Sequence, residues 1–67
     1  MNETILTPRE RQVLGLIAEG LTQAQIGQTL HIRMPTVKTH VERLLPKIGA
    51  SNAPNAVAIA LRSRIIM

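Results

Sequence analysis

The side chains best suited to chemistry lie close together in the stretch PTVKTHVERLLPKI, which runs from residue 35 to residue 48. Lys38, Thr39 and Glu42 place an ammonium group, a hydroxyl group and a carboxylate on neighbouring turns. At about 100° per residue, all three point to one side of a helix. That side can donate hydrogen bonds to a polar partner and accept them from it. Alternatively, Lys38 and Glu42 pair with each other, because residues four apart are neighbours on a helix.

The sequence contains no arrangement typical of an enzyme or a metal site. It has neither Cys nor Asp, and no Ser–His or paired-carboxylate pattern is present. His31 and His40 are nine residues apart without a carboxylate pair nearby, which is too few ligands for a metal. We therefore predict that the chain is not an enzyme, has no catalytic residue, and binds neither a cofactor nor a metal.

The composition is that of a small basic domain. The 67 residues are enough for one domain with a modest core. The net charge is +4, and residues 21–67 hold six basic residues against Glu42 alone. A basic surface suits nucleic acid, and equally it keeps a small domain soluble. Because Phe, Tyr and Trp are absent, the chain lacks the aromatic platforms on which single-stranded nucleic acids stack.

Two features of the sequence argue against a membrane or secreted protein. No apolar run approaches the roughly 20 residues that a membrane-spanning helix needs. The first ten residues, MNETILTPRE, are polar and acidic, unlike a secretory signal. We expect a cytoplasmic location and no membrane partner.

The stretch from residue 35 to residue 48 predicts a helix with one buried face. Its apolar residues are spaced by four, three and four positions: Val37, Val41, Leu44 and Ile48. Pro35 is tolerated in the first turn, and Gly49 ends the helix. Pro46 removes a backbone hydrogen bond near the other end. We therefore expect the helix to kink or fray from about Leu45.

Capping signals divide the rest of the chain into three further helices. Capping boxes at Thr7 and Thr22 start the first two, and Gly20 stops the first. Residues 1–6 are interpreted as a frayed lead-in. The expected core stripe of the first helix is Val13, Leu14, Ile17 and Ala18. The predicted fold is all-α, a single four-helix domain with helices at about residues 8–19, 23–30, 35–48 and 53–64.

The second and third helices are joined by a short turn at residues 31–34, which Ile32 is expected to plug. Gly27, inside the second helix, suggests that another helix crosses closely, or it is a poorly optimised surface position. A short helix, a tight turn and a helix with an exposed polar face match the helix-turn-helix plan.

The fourth helix is apolar on two sides. One stripe contains Ala56, Ile59, Ala60 and Ser63, and the other contains Val57 and Leu61. Because a small domain can cover only one stripe, the other is expected to be exposed or paired with a second copy.

The segments TPRERQVLGLIAEGLTQAQIG and TVKTHVERLLPKIGA resemble the LuxR-type, or GerE-like, DNA-binding domain of bacterial transcription regulators. The resemblance covers about Leu6 to Ile65. It implies transcription regulation, with the third helix in the major groove of double-stranded DNA and the fourth forming a homodimer on an inverted repeat. Such domains usually follow a receiver or ligand-binding domain, and free-standing forms also occur, so the chain is a candidate response-regulator output domain or a free-standing regulator. RNA polymerase is a further candidate partner.

The resemblance and the helical positions together predict the contact residues. Lys38 is expected to donate to guanine, Glu42 to accept from cytosine, and Thr39 to offer its methyl group to thymine. Phosphate contacts are expected from the flanks and from the start of the second helix: Thr22, Gln23, Thr36, His40, Arg43 and Lys47. A partly buried His40 is an equal alternative. The candidate dimer interface is formed by Val57, Leu61 and Arg64.

The sequence also departs from the family pattern by losing charge or a helix cap. These departures are Gln23, Gln25, Gly27, Arg33, Pro46 and Asn52. Pro46, Asn52 and Glu42, together with the modest net charge of +4, leave a second function open: a protein-interaction or dimerisation module on the same scaffold with lost or weak DNA binding.

Overall fold

The computed structural model describes residues 6–64 and folds them into four α-helices without a β-strand in that range. The helices are α1 (Pro8–Ala18), α2 (Gln23–Leu30), α3 (Met34–Lys47) and α4 (Ala53–Arg62). The predicted all-α fold is therefore confirmed, with boundaries that differ by at most two residues. Within the described range, no helix combines the length and the apolar character needed to cross a membrane.

Local hydrogen bonds that the sequence predicts stabilise both ends of the first helix. The Thr7 hydroxyl accepts from the Glu10 N–H at 3.1 Å, and the Glu10 carboxylate accepts from the Thr7 N–H at 3.0 Å. At the other end, Gly20 has a φ of 94°. The N–H groups of Gly20 and Leu21 donate to the carbonyls of Ile17 and Leu16, which is the Schellman pattern.

The core is built around α1 and α3, each of which packs against the three other helices. The inner face of α3 behaves as predicted, whereas two expectations around α1 were wrong. Ala18 is exposed, and Leu6, expected in the frayed lead-in, is buried with 3% of its surface accessible. Residues 1–5 of that lead-in lie outside the described residues. The buried hydrophobic residues are Leu6, Val13, Leu14, Ile26, Val37, Val41, Leu44, Ala56 and Ala60.

The fourth helix turns its small residues inward. Asn52 is the N-cap, and its side chain accepts from the Asn55 N–H at 2.8 Å. Ala56 and Ala60 are fully buried, which lets the α4 backbone approach the rest of the core. Ser63, expected in the same stripe, is exposed because the helix ends at Arg62, one residue earlier.

Pro46 does not disrupt the end of α3. The helix continues through Pro46 to Lys47, so the fraying expected from about Leu45 was wrong, while the alternative of a kink there stays a prediction. The N–H of Gly49 donates to the Pro46 carbonyl at 3.2 Å, and the N–H of Ala50 donates to the Leu45 carbonyl at 2.9 Å. This second Schellman closure holds the last turn together although Pro46 supplies no N–H.

We predict that Pro46→Ala raises the free energy of unfolding by about 1–2 kcal/mol, because alanine restores an N–H in the last turn and has a higher helix propensity. Thermal unfolding followed by circular dichroism measures the change. Pro54→Ala is the matched control, since Pro54 lies in the first turn of α4, where the missing N–H costs little. A melting temperature of Pro46→Ala equal to or below that of the parent chain would contradict the prediction.

Candidate nucleic-acid interface

The junction between α2 and α3 is a tight turn whose backbone lies against Gly27. His31 caps α2 in the left-handed conformation, with φ 58° and ψ 42°. The Ile32 N–H donates to the Gly27 carbonyl at 2.9 Å. A Cβ atom on Gly27 would lie 2.7 Å from the Ile32 carbonyl oxygen and 3.7 Å from Val37 Cγ2. The close approach expected at Gly27 is present, but the backbone of the turn makes the closest contact, with α3 behind it.

The turn and the buried stripe of α3 together decide which of its side chains face outward. Val37 and Leu44 have no accessible surface and Val41 has 7%, so α3 cannot rotate about its axis without exposing them. The opposite side is exposed and carries Lys38, Thr39, Glu42 and Arg43. The structure therefore brings the three predicted base-contacting residues onto one accessible face.

Lys38 and Glu42 remain available to a partner. Among the described residues the two side chains form no ion pair, so the alternative in which they neutralise each other is not realised. Thr39 is partly occupied, because its hydroxyl donates to the Pro35 carbonyl at 3.0 Å. The exposed face thus presents one cation, one carboxylate and one hydroxyl already bonded within the helix.

The flanking residues differ in accessibility. Thr36 and Arg43 are exposed, whereas His40 is half-buried, as the alternative for that residue expected. Arg33 is the N-cap of α3, and its side chain makes no capping hydrogen bond. Three basic side chains on α3 and its N-cap are exposed and form no ion pair with the described residues: Arg33, Lys38 and Arg43.

The start of α2 offers fewer free donors than expected. The Thr22 N–H donates to Gln25 Oε1 at 2.8 Å, so it is not available to an anion. The Thr22 hydroxyl is also used, because it accepts from the Gln25 N–H. Within residues 6–64, the backbone N–H groups of Gln23 and Ala24 have no hydrogen-bond acceptor. An anion at this helix end would therefore be bound by Gln23 and by Ala24, which the sequence analysis did not select.

Lys47 has a structural partner that the sequence did not indicate. Its ammonium group donates to Glu10 Oε1 at 2.8 Å and to Oε2 at 3.0 Å, joining the start of α1 to the end of α3. Glu10 is 3% exposed and the Lys47 side chain 37% exposed. Instead of standing free for a phosphate, as expected, Lys47 neutralises a buried carboxylate. The sequence indicates only the capping role of Glu10, because its partner Lys47 is 37 positions away.

The surroundings of Glu10 favour its charged form. Burial by itself raises the pKa of the Glu10 carboxyl group, because it removes water from the charge. The hydrogen bonds from Lys47 and from the Thr7 N–H, together with the Lys47 charge, outweigh that effect and lower the pKa. Glu10 therefore has two roles, as a helix cap and as an anchor for the C-terminal turn of α3.

Met34 is the feature of this surface that sequence reasoning missed. It is the first residue of α3 and is 53% exposed. Together with Gln23, Pro35 and Lys38 it lines a shallow, largely apolar notch between the starts of α2 and α3. Because proline is tolerated throughout the first turn of a helix, the position of Pro35 could not show whether Met34 belonged to the turn or to α3.

The three candidate interface residues on the fourth helix are not equivalent. Leu61 is 48% exposed, one of the two large exposed hydrophobic residues of the described chain. Val57 is half-buried and packs against the core, and Arg64 is exposed beyond the helix end. Leu61 is therefore the most accessible apolar part of this surface.

The chain is similar in sequence to known bacterial regulators. The family described as "Bacterial regulatory proteins, luxR family" matches residues 4–60. The transcriptional activator protein BjaR1 of Bradyrhizobium diazoefficiens is 43% identical over 94% of the chain. The transcriptional regulatory protein LiaR of Bacillus subtilis is 43% identical over 91%. A probable transcriptional regulatory protein NarL of Mycobacterium tuberculosis is 45% identical over 92%.

The similarity concerns one part of each relative. The alignments cover 26% of BjaR1 and 29% each of LiaR and NarL. The chain therefore spans between a quarter and a third of the length of these relatives.

We predict that Glu10→Gln lowers the free energy of unfolding by about 1–3 kcal/mol at pH 7, because the buried partner of Lys47 loses its charge. Since the pKa of Glu10 is lowered in the folded state, its stabilising effect is present above about pH 4.5, the ordinary value, and is lost as the pH falls through the folded value. The stability difference between the parent chain and Glu10→Gln should therefore shrink on acidification. Urea titrations between pH 7 and pH 3 measure it.

The exposed Glu19 supplies the control for this experiment. Glu19→Gln removes the same charge without touching the ion pair, so its stability should follow that of the parent chain at each pH. A difference between Glu10→Gln and the parent that does not change with pH would contradict the role assigned to the Glu10 carboxylate.

Proposed function

The chain belongs to the luxR family of bacterial regulatory proteins, and on that premise we propose that it binds double-stranded DNA sequence-specifically to regulate transcription. The observation that carries the proposal is the exposed polar face of α3, whose opposite face is buried against the rest of the domain. In this proposal α3 enters the major groove as the recognition helix, and α2 crosses the DNA backbone.

The dimensions of α3 suit this role. Its 14 residues give a length of about 21 Å, and a major groove about 12 Å wide admits an α-helix. Base edges are contacted from the N-terminal part of a recognition helix. We assign Lys38 to guanine O6 or N7, Glu42 to cytosine N4, and Thr39 to a thymine methyl group.

Phosphate contacts supply affinity and position the helix. We assign them to Arg43 and Thr36 on the flanks of α3 and to the N–H group of Gln23 at the start of α2. His40 and Thr22 remain candidates, although His40 is half-buried and the polar groups of the exposed Thr22 are already bonded to Gln25. Lys47 is assigned a structural role, because its ammonium group already neutralises Glu10.

We further propose that the protein binds an inverted repeat as a homodimer through α4. A two-fold interface uses the same surface on both copies, so one exposed apolar side chain on each copy meets its counterpart. Leu61 offers that side chain, with Val57 and Arg64 at its margins. We propose a cytoplasmic location, with RNA polymerase as a further candidate partner.

A protein-interaction module without DNA binding remains the second candidate. It is favoured by one observation, the ion pair that withdraws Lys47 from the cations available to phosphates. The two candidates differ in their behaviour toward a duplex of arbitrary sequence at low salt. DNA binding by phosphate contacts weakens steeply between roughly 50 and 200 mM salt, whereas an interaction module leaves the duplex unbound.

For the DNA-binding function, we predict that Lys38→Ala weakens binding to a selected duplex by about tenfold, the loss expected for one base contact. Glu42→Ala should relax the preference at one base pair. Sites selected from random duplexes, followed by gel-shift titrations at several salt concentrations, measure both effects.

Arg62→Ala is the matched control for the DNA titrations. It removes an exposed positive charge from α4 instead of α3, so its effect on affinity should stay within about twofold because salt screens distant exposed charges. If no duplex is bound at roughly 50 mM salt, the DNA-binding proposal is wrong. If Lys38→Ala and Arg62→Ala lose equal affinity, the assignment of Lys38 to a base is wrong.

For the dimer, we predict that Leu61→Asp abolishes self-association, because it places a carboxylate on each side of the two-fold contact. Sedimentation velocity at several protein concentrations measures the oligomeric state. Gln12→Asp adds the same charge at an exposed position of α1 and should leave association unchanged. A parent chain that stays monomeric at every concentration, and on its DNA site, would count against the α4 interface.

A further inference from the structure

We propose that Met34 contacts the 5-methyl group of a thymine in the major groove and so helps to determine the DNA sequence that is bound. This inference rests on the DNA-binding function proposed above and adds a specificity-determining residue to it. The site is the apolar notch formed by Gln23, Met34, Pro35 and Lys38 at the start of α3.

Met34 lies on the same exposed stripe of α3 as the residues assigned to base contacts. Met34, Lys38 and Glu42 are spaced four residues apart, so they form one stripe along the exposed face. Met34 precedes Lys38 by one turn, about 6 Å along the axis. This distance is less than two base-pair steps of about 3.4 Å each. A base pair contacted by Met34 therefore lies within two steps of the guanine assigned to Lys38.

The apolar lining of the notch suits an apolar group of the DNA. A methionine side chain donates no hydrogen bond, and its flexible, polarizable chain fits an irregular apolar surface. On the floor of the major groove, the apolar group that distinguishes one base from another is the thymine methyl. A phosphate gains nothing from a notch lined by Met34, Pro35 and the carbon chain of Lys38. The methyl group of thymine is the part of DNA that such a surface complements.

The charges around the notch favour DNA over an apolar surface of another protein. Arg33 precedes Met34 in the chain and is exposed, and the exposed Lys38 lines the notch itself. The first turns of α2 and α3 contain no acidic residue. The partner is therefore expected to place an apolar group between negative charges, which describes a thymine methyl group beside the phosphate backbone.

The local backbone holds the notch in place before DNA binds. Pro35 restricts the first turn of α3. The preceding turn is held against Gly27, whose missing side chain leaves room for the Ile32 carbonyl. A contact surface that is already ordered loses less conformational entropy on binding. Met34 itself keeps the flexibility of an exposed side chain.

The experiment removes only the methyl group from the DNA. Each thymine of a selected duplex is replaced in turn by deoxyuridine, and binding of the parent chain, Met34→Ala and Lys38→Ala is measured by gel shift. For the parent chain, one replacement within two base pairs of the Lys38-dependent guanine should weaken binding about threefold to tenfold, as expected for one buried methyl group. Met34→Ala should bind the thymine and deoxyuridine duplexes equally. Lys38→Ala, which also shortens one wall of the notch, should reduce the difference between them without abolishing it.

Two controls separate this contact from a loss of folding. Met34→Leu retains an apolar side chain and should keep the sensitivity to the thymine methyl group. Because Met34 is exposed and alanine favours helices, Met34→Ala should unfold at the same temperature as the parent chain, as checked by circular dichroism.

The outcomes distinguish this proposal from the one on which it rests. If the parent chain binds DNA but no deoxyuridine replacement near that guanine weakens binding, Met34 does not read a methyl group and the DNA-binding function stands. The same conclusion follows if Met34→Ala is as sensitive as the parent, or if the selected site has no thymine within two base pairs. If no duplex is bound at low salt, the proposed function itself is overturned.

Discussion

The carbonyl oxygen of Ile32 lies 2.7 Å from the point that a Cβ atom on Gly27 would occupy. Only a residue without a side chain allows the turn to pass this close to α2, so the direction in which α3 leaves the turn depends on Gly27. The Ile32 N–H reinforces the approach by donating to the Gly27 carbonyl. Every feature of the proposed recognition face, from the notch at Met34 to the exposed Lys38, depends on that direction.

The two ends of α3 are held by different forces. Near the turn, the burial of Val37 beside Gly27 is apolar and involves no titratable group. At the far end, the bidentate pair between Lys47 and Glu10 is electrostatic and requires a charged carboxylate. Leaving the buried Glu10 carboxylate without its partner is costly, so Lys47 is better understood as part of the scaffold than as a free surface cation. The surface of α3 consequently carries one free cation fewer than its sequence suggests.

Much of the fold could be predicted because it is encoded by residues close together in the chain. The capping boxes at Thr7 and Thr22 each involve residues three apart, and both are formed as expected. The apolar stripe of α3 follows from its spacing alone. Expectations failed where a distant part of the chain decided the outcome, as for Lys47. They also failed where one local pattern allowed two solutions, as at the Met34–Pro35 helix start.

The sequence by itself therefore determined the four helices, most of their caps and the face of α3 that stays exposed, because helix formation and amphipathic burial depend on neighbours within one or two turns. Only the tertiary structure decided which of the polar groups are free. It showed that the Thr22 N–H and the Lys47 ammonium group already have partners, that Lys38 and Glu42 do not pair, and that Met34 lines an apolar notch. The physical reason is that a hydrogen bond or an ion pair depends on distances in space, and residues 10 and 47 become neighbours only when α1 packs against α3.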